Sequence, residues 1–141
     1  HEKQLIDRRP FHNTGLYNVN LDTNSNKSGY PKHDTGLSEI STLTRDDGRF
    51  RAPTLRNIEV SAPYMHDGSI NSLSEVIDFY AAGGRNVTTG EFQGDGRENL
   101  LKSQFIKGFI LTTEEKVDLI NFLKTLTDQA FLSDPKHVVT E

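Results

Sequence analysis

Met65, His66 and Tyr80 are the residues of this 141-residue chain whose types and spacing could share one piece of chemistry. Other chemistries drop out first. The five histidines, His1, His12, His33, His66 and His137, form no His-x-x-x-His or Glu-x-x-His pair, so there is no local zinc motif. The absence of cysteine excludes disulfides, thiolate zinc sites and cysteine catalysis. No Gly-x-Ser-x-Gly, Walker or Gly-x-Gly-x-x-Gly motif is present, and Gly94-Asp95-Gly96 alone is too short to suggest one. Methionine, histidine and tyrosine are all axial ligands of haem iron by type, so an iron or haem site is what remains. Adjacent Met65 and His66 cannot both easily meet one iron, and spacing alone does not rank them. Each candidate also has a plainer role. His66-Asp67-Gly68 is a turn signal, and a tyrosine on an apolar stripe is usually packing, with a satisfied hydroxyl.

The stretch from Arg51 to Gly68 must position two of these residues. It carries Pro53, Pro63 and the only methionine. Each proline fixes φ and removes a backbone donor, so the run is neither one long helix nor a central strand. It reads as a stiff irregular rope with short helical turns, the kind of segment on which binding sites are often built. A helix is predicted next, over residues 73–82. Ser72 and Glu75 form a capping box at its start. Leu73, Val76, Ile77 and Tyr80 share one face at i, i+3, i+4, i+7 spacing, which points Tyr80 inward. Gly83-Gly84 stops the helix, because glycine accepts the left-handed conformation of a C-terminal cap.

The rest of the chain supplies fewer signals. Residues 1–50 read as mostly irregular, with turns at Phe11-His-Asn-Thr-Gly15 and His33-Asp-Thr-Gly36 and a short helix near 37–44. Residues 22–29 and 85–98 read as surface loops. Thr112 and Glu115 form a second capping box, opening the longest helix over 113–126. Its apolar face is Val117, Leu119, Ile120, Leu123 and Leu126. A turn of helix follows at 128–132. No run alternates apolar and polar residues with period two, so little or no sheet is expected.

Composition bounds the function further. The length suits one domain with a single core. Apolar residues make up 33% of the chain, and counting glycine still leaves it below the usual ~45–50%. Such a core-poor chain is expected to have help from a partner domain, a metal or a cofactor. A formal net charge of −4 argues against nucleic acid or an anionic membrane as partner. No apolar run approaches membrane-spanning length, and the first residues are too polar for a signal peptide.

Several separated motifs, in order, resemble the C-terminal haem domain of the bacterial di-haem cytochrome c peroxidase and MauG superfamily. They are Phe11-His-Asn-Thr-Gly15, Phe50-Arg-Ala-Pro-Thr-Leu-Arg-Asn57, Ala62-Pro-Tyr-Met-His-Asp-Gly68, Leu73-x-x-Val-Ile-Asp-Phe-Tyr80 with Gly83-Gly84, and 111–128 as the closing helix. The resemblance covers nearly the whole chain. It implies a mainly α, cytochrome c-like domain over 1–141, with a few helices and long irregular loops. It implies haem c as cofactor, although this chain has no thiol to form the thioether. In the family the Phe-His-Asn element follows the haem-attachment histidine by about ten residues, which matches His1 to the proximal iron ligand. By that match the attachment cysteines and the N-terminal haem domain lie outside the chain.

The resemblance also assigns roles. The distal ligand lies fourteen residues after the histidine of Pro-Tyr-x-His-Asp-Gly, methionine in the peroxidases and tyrosine in MauG-type members. Counted from His66, that position is Tyr80, which leaves Met65 as packing. His66 becomes a distal-side residue beside a propionate or the electron path. Arg51 and Arg56 are expected at the haem propionates, with Pro53 and Leu55 in the pocket wall. Carbonyls around Ser61 and Pro63 would help to bind calcium, in a site left partial without the other domain. The whole protein would be a periplasmic oxidoreductase that reduces hydrogen peroxide or performs MauG-type oxidation. Its electron donor would be a small protein such as a cytochrome c or cupredoxin. The alternative is a mono-haem electron-transfer module without peroxidase activity.

Overall fold

Glycine and asparagine turns fold the first half of the chain back on itself, and capped helices order the second. The computed structural model describes residues 11–20 and 28–136. These divide into two compact units. One comprises residues 11–20, 28–52 and 78–110, and the other 53–77 and 111–136.

The first unit is held by short antiparallel pairs. Strand β1 (Phe11–His12) pairs with β4 (Phe50–Arg51), Phe11 opposite Arg51. Strands β2 (Val19–Asn20) and β3 (Ser28–Gly29) form a second pair, and β5 (Asn86–Val87) and β6 (Gly94–Asp95) a third. Leu16, Tyr17, Val19, Tyr30 and Phe79 are its buried apolar residues. Tyr17 and Tyr30 meet edge to face, with ring centroids 5.6 Å apart. Close backbone approaches require glycine at the centre: a Cβ on Gly96 would collide with Gly15 O, and one on Gly84 would lie 2.9 Å from the same atom. Helix α1 is a single turn, Ser38–Ser41, ended by Thr42 at φ +58°.

The second unit follows the capping signals. Helix α3 (Thr113–Lys124) starts at the Thr112–Glu115 box, with both reciprocal bonds formed, at 3.2 and 2.8 Å. It ends two residues before the expected limit. Helix α4 (Gln129–Ser133) is capped by Asp128, whose carboxylate accepts from Phe131 N–H at 2.9 Å. Asn57 joins the two stretches of this unit. Its amide donates to Leu126 O at 3.0 Å and its side chain accepts from Asp128 N–H at 2.6 Å. The apolar face predicted for α3 is only half covered, and Val117 and Phe122 stay exposed.

Helix α2 (Leu73–Ala81) runs across the boundary between the units. Its Ser72–Glu75 box is present, with Glu75 N–H donating to Ser72 Oγ at 3.2 Å. Gly83 (φ +75°) and Gly84 (φ +133°) close it.

The fold-class expectation is corrected. The described residues are 33% helix and 12% strand, so the chain is not the mainly α, cytochrome c-like domain with little or no sheet that the resemblance implied. Three two-stranded sheets are present. Each strand is two residues long, too short to carry a period-two pattern. Their pairing is set by turns and by glycine contacts distant in sequence.

Candidate functional site

The predicted site residues fall in both units. His1 lies outside the described residues. Arg51 and Tyr80 belong to the first unit, and Pro53, Leu55, Arg56, Ser61, Pro63, Met65 and His66 to the second.

Tyr80 sits near the end of α2 with its ring half-buried, edge to face with Phe79 at 5.1 Å. Burial pushes its phenol above the ordinary value of 10.0. No described residue hydrogen-bonds the hydroxyl. Tyr64 is the contrast: its hydroxyl donates to Ile58 O at 2.8 Å. The Tyr80 hydroxyl is not fully enclosed, so any partner it has comes from outside the described residues. Phe109 N–H donates to Ala81 O at 3.1 Å, and Phe109 and Ile110 leave apolar surface exposed beside the helix end.

The rope closes into a loop. Tyr64 and Ile70 pair through their backbones, Tyr64 N–H to Ile70 O at 2.6 Å. Met65 takes φ +70° and is half-buried, while His66 is exposed in the loop. Pro53, Leu55, Ser61 and Pro63 are also exposed. Ser61 Oγ donates to Ile58 O at 3.0 Å. Among the described residues no group of three or more His, Cys, Asp or Glu could hold a metal ion.

The two arginines differ. Arg51 is exposed on β4 without an ion pair among the described residues. Arg56 is engaged: its guanidinium meets Asp128 at 2.8 Å and lies 4.5 Å over the Phe131 ring. A bond from Phe131 N–H and the Arg56 contact hold the Asp128 carboxyl below its ordinary value. Arg56 thus ties the second unit together before any ligand is considered.

Sequence reasoning missed one feature. The first unit contains an open cavity of about 640 Å³, lined among others by Phe11, His12, Arg49, Lys102, Ser103 and Phe105. His12 Nδ1 lies 3.3 Å from Ser103 Oγ, and its ring meets Phe105 edge to face at 5.9 Å. Tyr80 is not among its walls. The Phe11-His12 turn was visible in the sequence, but nothing local tied it to residues ninety positions later.

No family model matches the chain. It is similar to a solved structure described as a MauG-like protein associated with microbial copper homeostasis. The TM-score is 0.81 at 50% identity, covering 90% of this chain and 37% of that one. The fold is thus that of a MauG-like protein. Cytochrome-c peroxidase IdrP1 of Pseudomonas sp. (strain SCT) is 39% identical over 94 residues, 67% of this chain and 22% of that protein. Methylamine utilization protein MauG of Methylorubrum extorquens is 35% identical over 77 residues, 55% of this chain and 18% of that protein. The chain belongs to the di-haem cytochrome c peroxidase and MauG superfamily. It spans well under two thirds of the length of each of these relatives.

Proposed function

We propose that this chain is the C-terminal haem-binding, electron-transfer domain of a periplasmic di-haem oxidoreductase, with His1 as proximal and Tyr80 as distal iron ligand. One observation carries the reading: a half-buried phenol with no hydrogen-bond partner among the described residues, on a helix fixed at both ends. The hydroxyl is not fully enclosed, so a group outside the described residues can reach it, and a group with no protein partner is free to take one. The residues fit a haem there. Phe109 and Ile110 supply exposed apolar surface beside the end of the helix that bears this hard oxygen donor. When bound, haem supplies reversible one-electron transfer, and a phenolate ligand favours its ferric state.

The chain's own residues do the rest. Tyr80 must give up its phenolic proton to bind as an anion. Burial opposes that loss, so the charge of ferric iron has to offset it. Arg51 is the guanidinium available to a propionate, while Arg56 stays with Asp128. The chain has no cysteine, so none of its residues forms a thioether to haem. His66, exposed in its loop, would meet a group outside this chain, such as the N-terminal haem domain. Calcium at the Ser61 and Pro63 carbonyls would need ligands from that domain.

The whole protein reduces hydrogen peroxide, or performs a MauG-type oxidation, with electrons from a small cytochrome c or cupredoxin. The test is peroxide-dependent oxidation of such a reduced donor by the haem-loaded protein. Turnover with two haems per molecule supports the reading. One haem per molecule and no turnover would leave a mono-haem electron carrier in its place.

A further inference from the structure

The loop carrying Lys102 is anchored on both sides. Leu101 N–H donates to Asn99 Oδ1 at 2.8 Å, Lys102 N–H to Asn99 O at 3.0 Å, and Ser103 N–H to Asn13 O at 2.8 Å. Asn99 is itself buried and donates to Tyr17 O at 2.9 Å. From this backbone the lysine stem passes Gly15, where a Cβ would lie 2.7 Å from Lys102 Cδ. The half-buried ammonium then reaches Gly83 O at 2.8 Å. Holding a flexible lysine in one rotamer costs side-chain entropy. A lysine threaded past a glycine onto one carbonyl is a placed group.

That carbonyl belongs to the cap of the helix bearing Tyr80. Gly83 N–H donates to Tyr80 O and Gly84 N–H to Phe79 O, both at 3.1 Å. The last carbonyls of a helix carry partial negative charge and lack intrahelical donors, so a cation is favourable there. Helix α2 has no basic residue in its own last turn. Lys102 brings that cation from a segment about twenty residues on.

We propose that Lys102 is a positioning residue for Tyr80: by clasping the Gly83 carbonyl it fixes the end of α2 and the direction in which the phenol leaves it. The inference rests on reading Tyr80 as an iron ligand. Lys102 Nζ bonds the Gly83 backbone and not the phenol, so it acts through the geometry of the cap.

Two variants and two readouts test it. In the chain as it stands, Lys102→Met should speed hydrogen exchange at the Gly83 and Gly84 amides about tenfold, and the amides of α3 should not change. In the haem-loaded protein, Lys102→Met should move the ferric absorption spectrum toward that of Tyr80→Phe, and Lys102→Arg should restore the parent spectrum. Unchanged exchange at the cap, or exchange that rises uniformly across the chain, overturns the clasp. A parent-like Lys102→Met spectrum beside an altered Tyr80→Phe spectrum overturns the positioning role and leaves ligation standing. A parent-like Tyr80→Phe spectrum overturns ligation itself.

Discussion

The two units solve the same problem with different means. The first packs backbone against backbone: Gly15, Gly84 and Gly96 meet where no side chain fits, around buried Leu16, Tyr17 and Tyr30. The second has three buried apolar residues among those described, Ile70, Leu73 and Ile77, and relies on caps and on the Asn57, Arg56 and Asp128 ties. Close packing tolerates almost no added volume. Capped helices with a half-covered face lose stability in small steps. The first unit is therefore rigid at its glycine centre, and the second is held by separate local ties.

Substitutions should separate the two sharply. Gly96→Ala places a methyl group on Gly15 O and should cost at least ~3 kcal/mol, read by chemical denaturation. A loss under ~1 kcal/mol would show that the glycine centre is not the rigid part. In the second unit Asn57→Ala should cost about 2 kcal/mol, from the lost bond to Asp128 N–H and from the φ of +60°. Asn57→Gly should recover roughly half of that. Thr112→Ala removes one cap of α3 and should cost about 1 kcal/mol.

The smallest effect is a pH dependence. Below pH 10 the Tyr80 phenol is neutral whether the chain is folded or not. Above it the unfolded chain ionises first, because the folded value is raised. Stability should therefore fall as pH rises through 10.0 toward the raised folded value, and Tyr80→Phe should flatten that fall. Denaturation midpoints across this range read it directly.

What was legible in the sequence was local. The Ser72–Glu75 and Thr112–Glu115 boxes and the Gly83-Gly84 stop each rest on residues within a few positions of one another. Of the stripe of Leu73, Val76, Ile77 and Tyr80 only Leu73 and Ile77 are buried, and Phe79, off that stripe, is buried instead. The three small sheets were not legible, because two-residue strands leave no alternation to read. Nor was the clasp of Lys102 on Gly83 or the cavity at His12. Both depend on loops brought together across twenty to ninety residues, and neither Lys102 nor Ser103 carries a local signal. Arg56 showed the converse risk. Its type suits a propionate, but the Asp128 carboxylate already holds it.

The central claim is that Tyr80 binds the iron. Its most direct test is the ferric absorption spectrum of the haem-loaded protein with Tyr80→Phe, beside Tyr64→Phe, whose hydroxyl is already satisfied by Ile58 O. The account predicts a changed spectrum for Tyr80→Phe and a parent-like one for Tyr64→Phe. A parent-like spectrum for Tyr80→Phe would contradict it.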